Sequence, residues 1–254
     1  MTILQPVLRI RNLTKHYGGV KALTGAEFEL KPGEHAAIVG DNGAGKSTFV
    51  RLITGAEQPN EGEITLDDKR VMFESPLDAR EQGIETVYQT LALAEDLDVP
   101  ANIFLGREIT RLNLGPLSVL NHRAMREKSQ EMLSTTGVKI QDMSESLRGM
   151  SGGQRQLVSL ARLMLRDPAI VFMDEPTATR DQNTEARVIL VMREWLRGRT
   201  LLMSTHRPQL LEWADLIAVI DSGQCVAWGP KQEMLDKLSR GIDVNTTKPQ
   251  GAVA

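Results

Sequence analysis

The sequence predicts an α/β fold with a parallel sheet, and three observations predict it. Short apolar runs of strand length alternate with longer helix-like stretches. A glycine-rich loop, Gly40-Asp-Asn-Gly-Ala-Gly-Lys-Ser47, lies between one such run and a helix. A second apolar run, Ala169 to Met173, ends directly in Asp174 and Glu175. The 254 residues suffice for one large α/β domain, or one domain carrying a small inserted lobe.

The first strand is expected over Val7 to Leu13, where apolar and polar side chains alternate (VLRIRNL). Glu27 to Leu30 repeats that pattern before the Pro32-Gly33 turn. His35 to Val39 is mostly apolar and suits a buried strand. The glycine loop follows, then a helix over Lys46 to Ile53. Ile64 to Leu66 reads as an edge strand, Pro76 to Gln82 as a helix stopped by Gly83, and Ile84 to Tyr88 as a strand. From about 91 to 150 clear strands are lacking, and Asn121 to Ser134 has a helical pattern with charges on one side. This segment is expected to form a helical lobe. The α/β rhythm then resumes: a helix to Leu165, strand Ala169 to Met173, helix Asn183 to Leu196, strand Thr200 to Met203, a short helix, and strand Leu216 to Ile220. The segment after Arg240 is polar, rich in small residues, and expected to be mobile.

Composition narrows the function classes. A net charge of −3 argues against a nucleic-acid partner held by bulk phosphate neutralisation. The single cysteine, Cys225, cannot form an intrachain disulfide and reads as a buried small hydrophobe in a reducing compartment. The opening MTILQPVLRIRN lacks the basic, apolar and small-residue zones of a signal peptide. The apolar runs are too short to cross a bilayer, so any service to a membrane is expected from the water side through a partner.

The loop Gly40 to Ser47 fits G-x-x-x-x-G-K-[ST], and its chemistry explains its spacing. Gly40, Gly43 and Gly45 let the backbone wrap a phosphate and turn N–H groups inward, with Asp41, Asn42 and Ala44 between them. Lys46 opens a helix, so its ammonium and the positive helix end face the β- and γ-phosphates, with Thr48 in the same turn. Ser47 offers a hydroxyl to Mg²⁺, a hard ion that prefers oxygen. Acids that end an apolar strand sit at the carboxyl edge of a parallel sheet, where such folds keep their ligands. Asp174 is suited to hold Mg²⁺ through a water. Glu175 is suited to activate the attacking water as general base.

Met150-Ser-Gly-Gly-Gln-Arg-Gln156 resembles the signature loop of the ABC ATPases, with methionine in place of the usual leucine. Other landmarks stand in the family's order over about residues 5 to 240. The resemblance implies a P-loop NTPase core of ABC-ATPase type, with an N-terminal antiparallel β subdomain and an inserted α-helical subdomain. On this reading residues 1–240 form one ATPase domain, its core over about 1–90 and 155–240, its helical part over about 91–154, and 241–254 a tail. Tyr17 matches the aromatic side chain that stacks on adenine. Gln89 matches the glutamine that senses Mg²⁺ and contacts the transport subunits, and His206 the histidine at the γ-phosphate. Ser151, Gly152, Gly153 and Gln154 precede a helix and form a second anion site. In the family this site closes over the ATP of another cassette, which implies a head-to-tail homodimer.

The runs Gly83 to Leu93 and Asn102 to Glu108 resemble bacterial monosaccharide importers of the single-cassette kind. That implies permease subunits and a periplasmic sugar-binding protein as partners, at the cytoplasmic face of the inner membrane. Thr184 to Arg187, Glu194 to Thr200, Ser204 to Arg207 and Asp221 to Lys231 resemble type I secretion exporters instead. A hybrid origin and broad family divergence both fit this split. An exporter ATPase and a non-transport ABC protein remain alternative functions; the second commonly has paired cassettes or long coiled-coil insertions. The family's loop after Pro176 usually keeps an apolar residue where this chain has Arg180, before Asp181. A guanidinium there is expected to alter coupling between the two sites.

Overall fold

The computed structural model describes residues 5–87, 93–112, 118–135, 140, 142–174, 182–205 and 207–239. Backbone contacts divide the chain into two compact units. The first comprises 1–86, 169–175 and 196–254, and the second 87–168 and 176–195.

The first unit holds two sheets. The antiparallel one contains β1 (Leu8–Tyr17), β2 (Val20–Leu30), β4 (Glu61–Leu66) and β5 (Lys69–Val71), in the order β2-β1-β4-β5. The other has the order β12-β11-β3-β10-β9-β6. It is built from β3 (His35–Val39), β6 (Ile84–Val87), β9 (Ile170–Asp174), β10 (Thr200–Ser204), β11 (Leu216–Asp221) and β12 (Gln224–Pro230). Strands β11, β3, β10 and β9 run parallel, and β12 returns antiparallel on β11. Strands β3, β9 and β10 read as continuous apolar runs because parallel strands are covered on both faces. Every residue of β10 is buried.

Helix α1 (Lys46–Ile53) sends Phe49, Val50, Leu52 and Ile53 into the core shared by these strands. Phe28 of β2 ties that core together. It packs edge-on against Phe49 at 6.1 Å and against Trp228 of β12 at 5.8 Å. Helices α2 (Pro76–Glu81), α7 (Pro208–Leu211) and α8 (Lys231–Ser239) complete the unit. Ser75 and Asp78 form a capping box at the start of α2.

The second unit has its own apolar core. α3 (Val99–Ile103) contributes Val99 and Ile103, α4 (His122–Thr135) Met125 and Leu133, and α5 (Gly152–Arg166) Val158 and Ala161. Met125, Ser129 and Leu133 recur at intervals of four, so one stripe of α4 is buried and the charges face water. Asn121 caps α4, its Oδ1 accepting from Ala124 N at 3.1 Å. Most of α6 (Gln182–Leu196) also falls in this unit.

Several expectations are corrected. β1 does not keep a simple alternation. Leu8 and Ile10 point inward, but the next inward residue is Leu13, because a bulge at Arg11–Asn12 rephases the strand, with Asn12 at φ 49°. β2 begins at Val20, seven residues before the expected start, since its first half is more polar and exposed. β4 is an interior strand; short, polar β5 takes the edge. The segment expected to lack strands contains a small hairpin, β7 (Thr110–Leu112) with β8 (Val119–Leu120). α3, β12 and α8 are further elements not foreseen; the first is only 5 residues long, too short for a periodic signal. Tyr88 and the 241–254 tail lie outside the described residues.

Candidate nucleotide site

β3 delivers the chain to the glycine loop from the middle of the parallel sheet, between β11 and β10. Two positions in the loop admit glycine alone. A Cβ on Gly40, at φ 151°, would lie 2.0 Å from the carbonyl oxygen of Ile220. A Cβ on Gly45, at φ 110°, would lie 2.7 Å from that of Ala22. The loop is thus pressed between β2 and the end of β11. The turn after β11 fastens it: Gly223 N donates to Ala44 O at 2.8 Å, and Thr24 N donates to Gly223 O at 2.6 Å.

Gly45 is the N-cap of α1. No side chain caps this helix and no acid occupies its first turn. Its leading N–H groups and its positive dipole end therefore face the loop mouth without competition from a side-chain acceptor. The Lys46 ammonium arches back over the loop, donating to Gly40 O at 2.6 Å and Asp41 O at 2.7 Å. Glycine-framed N–H groups, an uncapped helix start and one ammonium form a cradle for a polyphosphate.

Tyr17 ends β1 and is 42% exposed, open enough to stack on a planar base. Its hydroxyl donates to Glu57, and Lys15 Nζ lies 5.5 Å from the ring centroid. Burial, then the Glu57 hydrogen bond and charge, raise the phenol's pKa. Glu57 was not foreseen from the sequence. It lies 40 residues from Tyr17, and no local pattern marks it.

Asp174 closes β9 and is partly buried. It is aligned across the sheet with Ser204 of β10, which is aligned in turn with Ile38 of β3. Two strand spacings, roughly 10 Å, separate the carboxyl ends of β3 and β9. Among the described residues no group of three or more His, Cys, Asp or Glu gathers as a metal cage. A hydroxyl at Ser47 and one carboxylate at Asp174 nevertheless suit Mg²⁺, which takes few protein ligands and completes its shell with phosphate oxygens and water. Glu175, Gln89, His206, Arg180 and Asp181 lie outside the described residues.

In the second unit, Ser151 is the N-cap of α5. Its Oγ accepts from Gln154 N at 3.2 Å, and Gln154 Oε1 accepts from Ser151 N at 3.0 Å. This capping box leaves the N–H groups of Gly152 and Gly153 outside its own pairing. Ser151 and Gly152 are exposed, whereas Gly153 is buried. Neighbouring contacts hold the approach to the helix. Arg155 pairs with Glu95 at 2.6 Å, and Arg148 N donates to Glu95 O at 3.2 Å. Fully buried Asn102 binds the same segment through four hydrogen bonds with Ala94, Leu97 and Asp98.

The fold and the cradle define a phosphate-loop nucleotide-binding protein. A family model described as ABC transporter matches residues 23–178, and the chain belongs to that family, as one of its ATP-binding, ATP-hydrolysing cassettes. The fructose import ATP-binding protein FrcA of Rhizobium meliloti is 42% identical over 257 residues, covering 98% of each chain, the final third included. The xylose/arabinose import ATP-binding protein XylG of Sulfolobus acidocaldarius is 41% identical over 233 residues, covering 91% of this chain and 90% of that one. Among solved structures, a nucleotide-free ATP-binding cassette from an ABC transporter matches with a TM-score of 0.77 and 26% identity, over 96% of this chain and 100% of that one. In the described residues no helix is long and apolar enough to cross a membrane.

Proposed function

We propose that this chain is the energy-coupling ATPase of a monosaccharide importer, working as a head-to-tail homodimer beneath a pair of permease subunits. The end-to-end likeness to a fructose import ATP-binding protein carries this reading. Xylose/arabinose and ribose import proteins are also similar, the ribose proteins over about half their own length. In the homodimer Ser151 to Gln154 of one chain closes over the ATP in the Gly40–Ser47 loop of the other.

The roles follow from the chemistry of each residue. The glycine loop, Lys46 and Thr48 hold the phosphates, and Tyr17 stacks on adenine. Ser47, Asp174 and Gln89 hold Mg²⁺, which neutralises phosphate charge and orients the γ-phosphoryl group. Glu175 takes the proton of the attacking water, and His206 contacts the γ-phosphate. ATP joins the two chains and hydrolysis releases them. The permease converts that cycle into transport, supplied from outside by a sugar-binding protein, with the ATPase peripheral to the cytoplasmic face. Arg180, in place of the family's apolar residue before Asp181, alters the coupling between the two sites.

Affinity purification of the tagged chain from native membranes tests this reading. Permease subunits are expected to co-purify, and the ATPase rate of the complex in proteoliposomes should rise with sugar-loaded binding protein. A fused exporter partner, or an ATPase rate indifferent to sugar, would replace it with the exporter reading.

A further inference from the structure

We infer that Glu57 is a positioning residue for the nucleotide base. It fixes the ring of Tyr17 to the end of α1, so that base and phosphates are gripped at one set span. The inference rests on the reading of Tyr17 as the adenine platform and deepens it.

The bracket is built from three elements of one unit. Glu57 lies in the loop after α1, and its backbone N–H donates to Arg51 O of that helix at 3.1 Å. Its carboxylate accepts from Tyr17 on one oxygen and from Arg51 Nη1, at 3.2 Å, on the other. Lys15 Nζ lies 3.9 Å from the oxygen that Tyr17 uses and donates to Gln58 O at 2.7 Å. Asn60 completes the stitching: its N–H donates to Thr14 O at 2.9 Å, and its Oδ1 accepts from His16 N at 2.7 Å. The loop from α1 is therefore laced to β1 along Thr14 to Tyr17. The glycine loop opens α1, and Glu57 is fastened to its far end. One rigid helix thus connects the phosphate cradle to the base platform.

An aromatic ring at an exposed strand end ordinarily loses rotamer freedom when a base stacks on it. A hydroxyl already tied to a carboxylate, itself held by two cations, removes most of that penalty before ATP arrives. Glu57 thus acts through Tyr17 and touches no part of the nucleotide.

The test compares Mg-ATP with Mg-tripolyphosphate, which has phosphates but no base, using the full chain. Tyr17→Ala should weaken ATP about 5- to 100-fold, the range for loss of one base–aromatic stack. Glu57→Ala should weaken ATP about 3- to 10-fold, the range for one lost hydrogen bond, and leave tripolyphosphate unchanged. Tyr17→Phe should match Glu57→Ala, and the double variant should be no worse than either single one. Glu57→Gln, which still accepts the phenol, should recover most of the affinity. Equal loss of ATP and tripolyphosphate in Glu57→Ala would make Glu57 a support for the loop and overturn the inference. An unaffected Glu57→Ala beside a weakened Tyr17→Ala would also overturn it, with the platform reading intact. An unaffected Tyr17→Ala would remove the platform reading and the inference with it.

Discussion

Two helix starts in this chain meet the same problem with opposite solutions. α1 begins at Gly45 with no side-chain cap and no acid in its first turn. α5 begins at Ser151 inside a complete capping box. Both leave N–H groups unused by their own helix, as every helix start does. At α1, on the proposed reading, the missing cap is the binding site: phosphate oxygens take the place of a capping side chain, and Lys46 adds a charge. At α5 the cap makes the helix start stable without a ligand, so Ser151, Gly152 and Gln154 form a finished surface. The difference suits a grip that closes on ATP in one chain and a preformed lid supplied by another.

The largest expected effect breaks the first solution. Lys46→Ala removes the charge-assisted contact to the phosphates, worth about 1.5–3 kcal/mol, and should weaken ATP roughly 10- to 100-fold by equilibrium binding. Its thermal stability should change little, because among the described residues the ammonium bonds only to carbonyls of its own loop.

The next pair of variants separates capping from lid function at α5. Ser151→Ala should lower stability by about 1 kcal/mol, the usual cost of a lost N-cap. Ser151→Asp keeps a good cap and so keeps thermal stability. It places a carboxylate where the opposing γ-phosphate docks on the proposed reading, and ATPase turnover should then fall by more than in Ser151→Ala. Equal turnover in the two variants would mean that Ser151 serves its own helix alone.

The smallest effect lies on β12, two residues beyond the glycine that fastens the loop. Cys225 packs against the core, and burial followed by the charge of Glu27 pushes its thiol from 9.0 up to about 12. The folded chain binds this proton more tightly than the unfolded one. Its contribution to stability is therefore fully present below pH 9 and is lost as pH rises toward 12. Thiol-specific reagents at pH 8 should label the native chain slowly and the denatured chain fast.

Much of this molecule is legible from local pattern. The glycine loop, the strand that leads to it and the acid that ends β9 are each written in consecutive residues. What escaped was made by distance or irregularity. The bulge at Asn12 breaks the period of β1, and β5, β7 and β8, of two or three residues each, are too short to stand out. The Glu57–Tyr17 bond and the turn at Gly223 join residues far apart in sequence. Asp221 to Lys231 stands out in the sequence only by its family resemblance, and nothing local says that the turn at Gly223 fastens the phosphate loop. Within the site, the α1 side was readable from its motif, and its bracing was not.

The central claim is that the cradle at α1 is completed by α5 of a second chain. Sedimentation velocity of Glu175→Gln with and without Mg-ATP tests it most directly, because loss of the general base, typically worth about 10²- to 10⁴-fold in rate, preserves bound ATP. The expected result is a monomer without nucleotide, a stable dimer with Mg-ATP, and return to monomer when Ser151→Asp is added. A monomer at saturating ATP, or full turnover in Glu175→Gln, would contradict it.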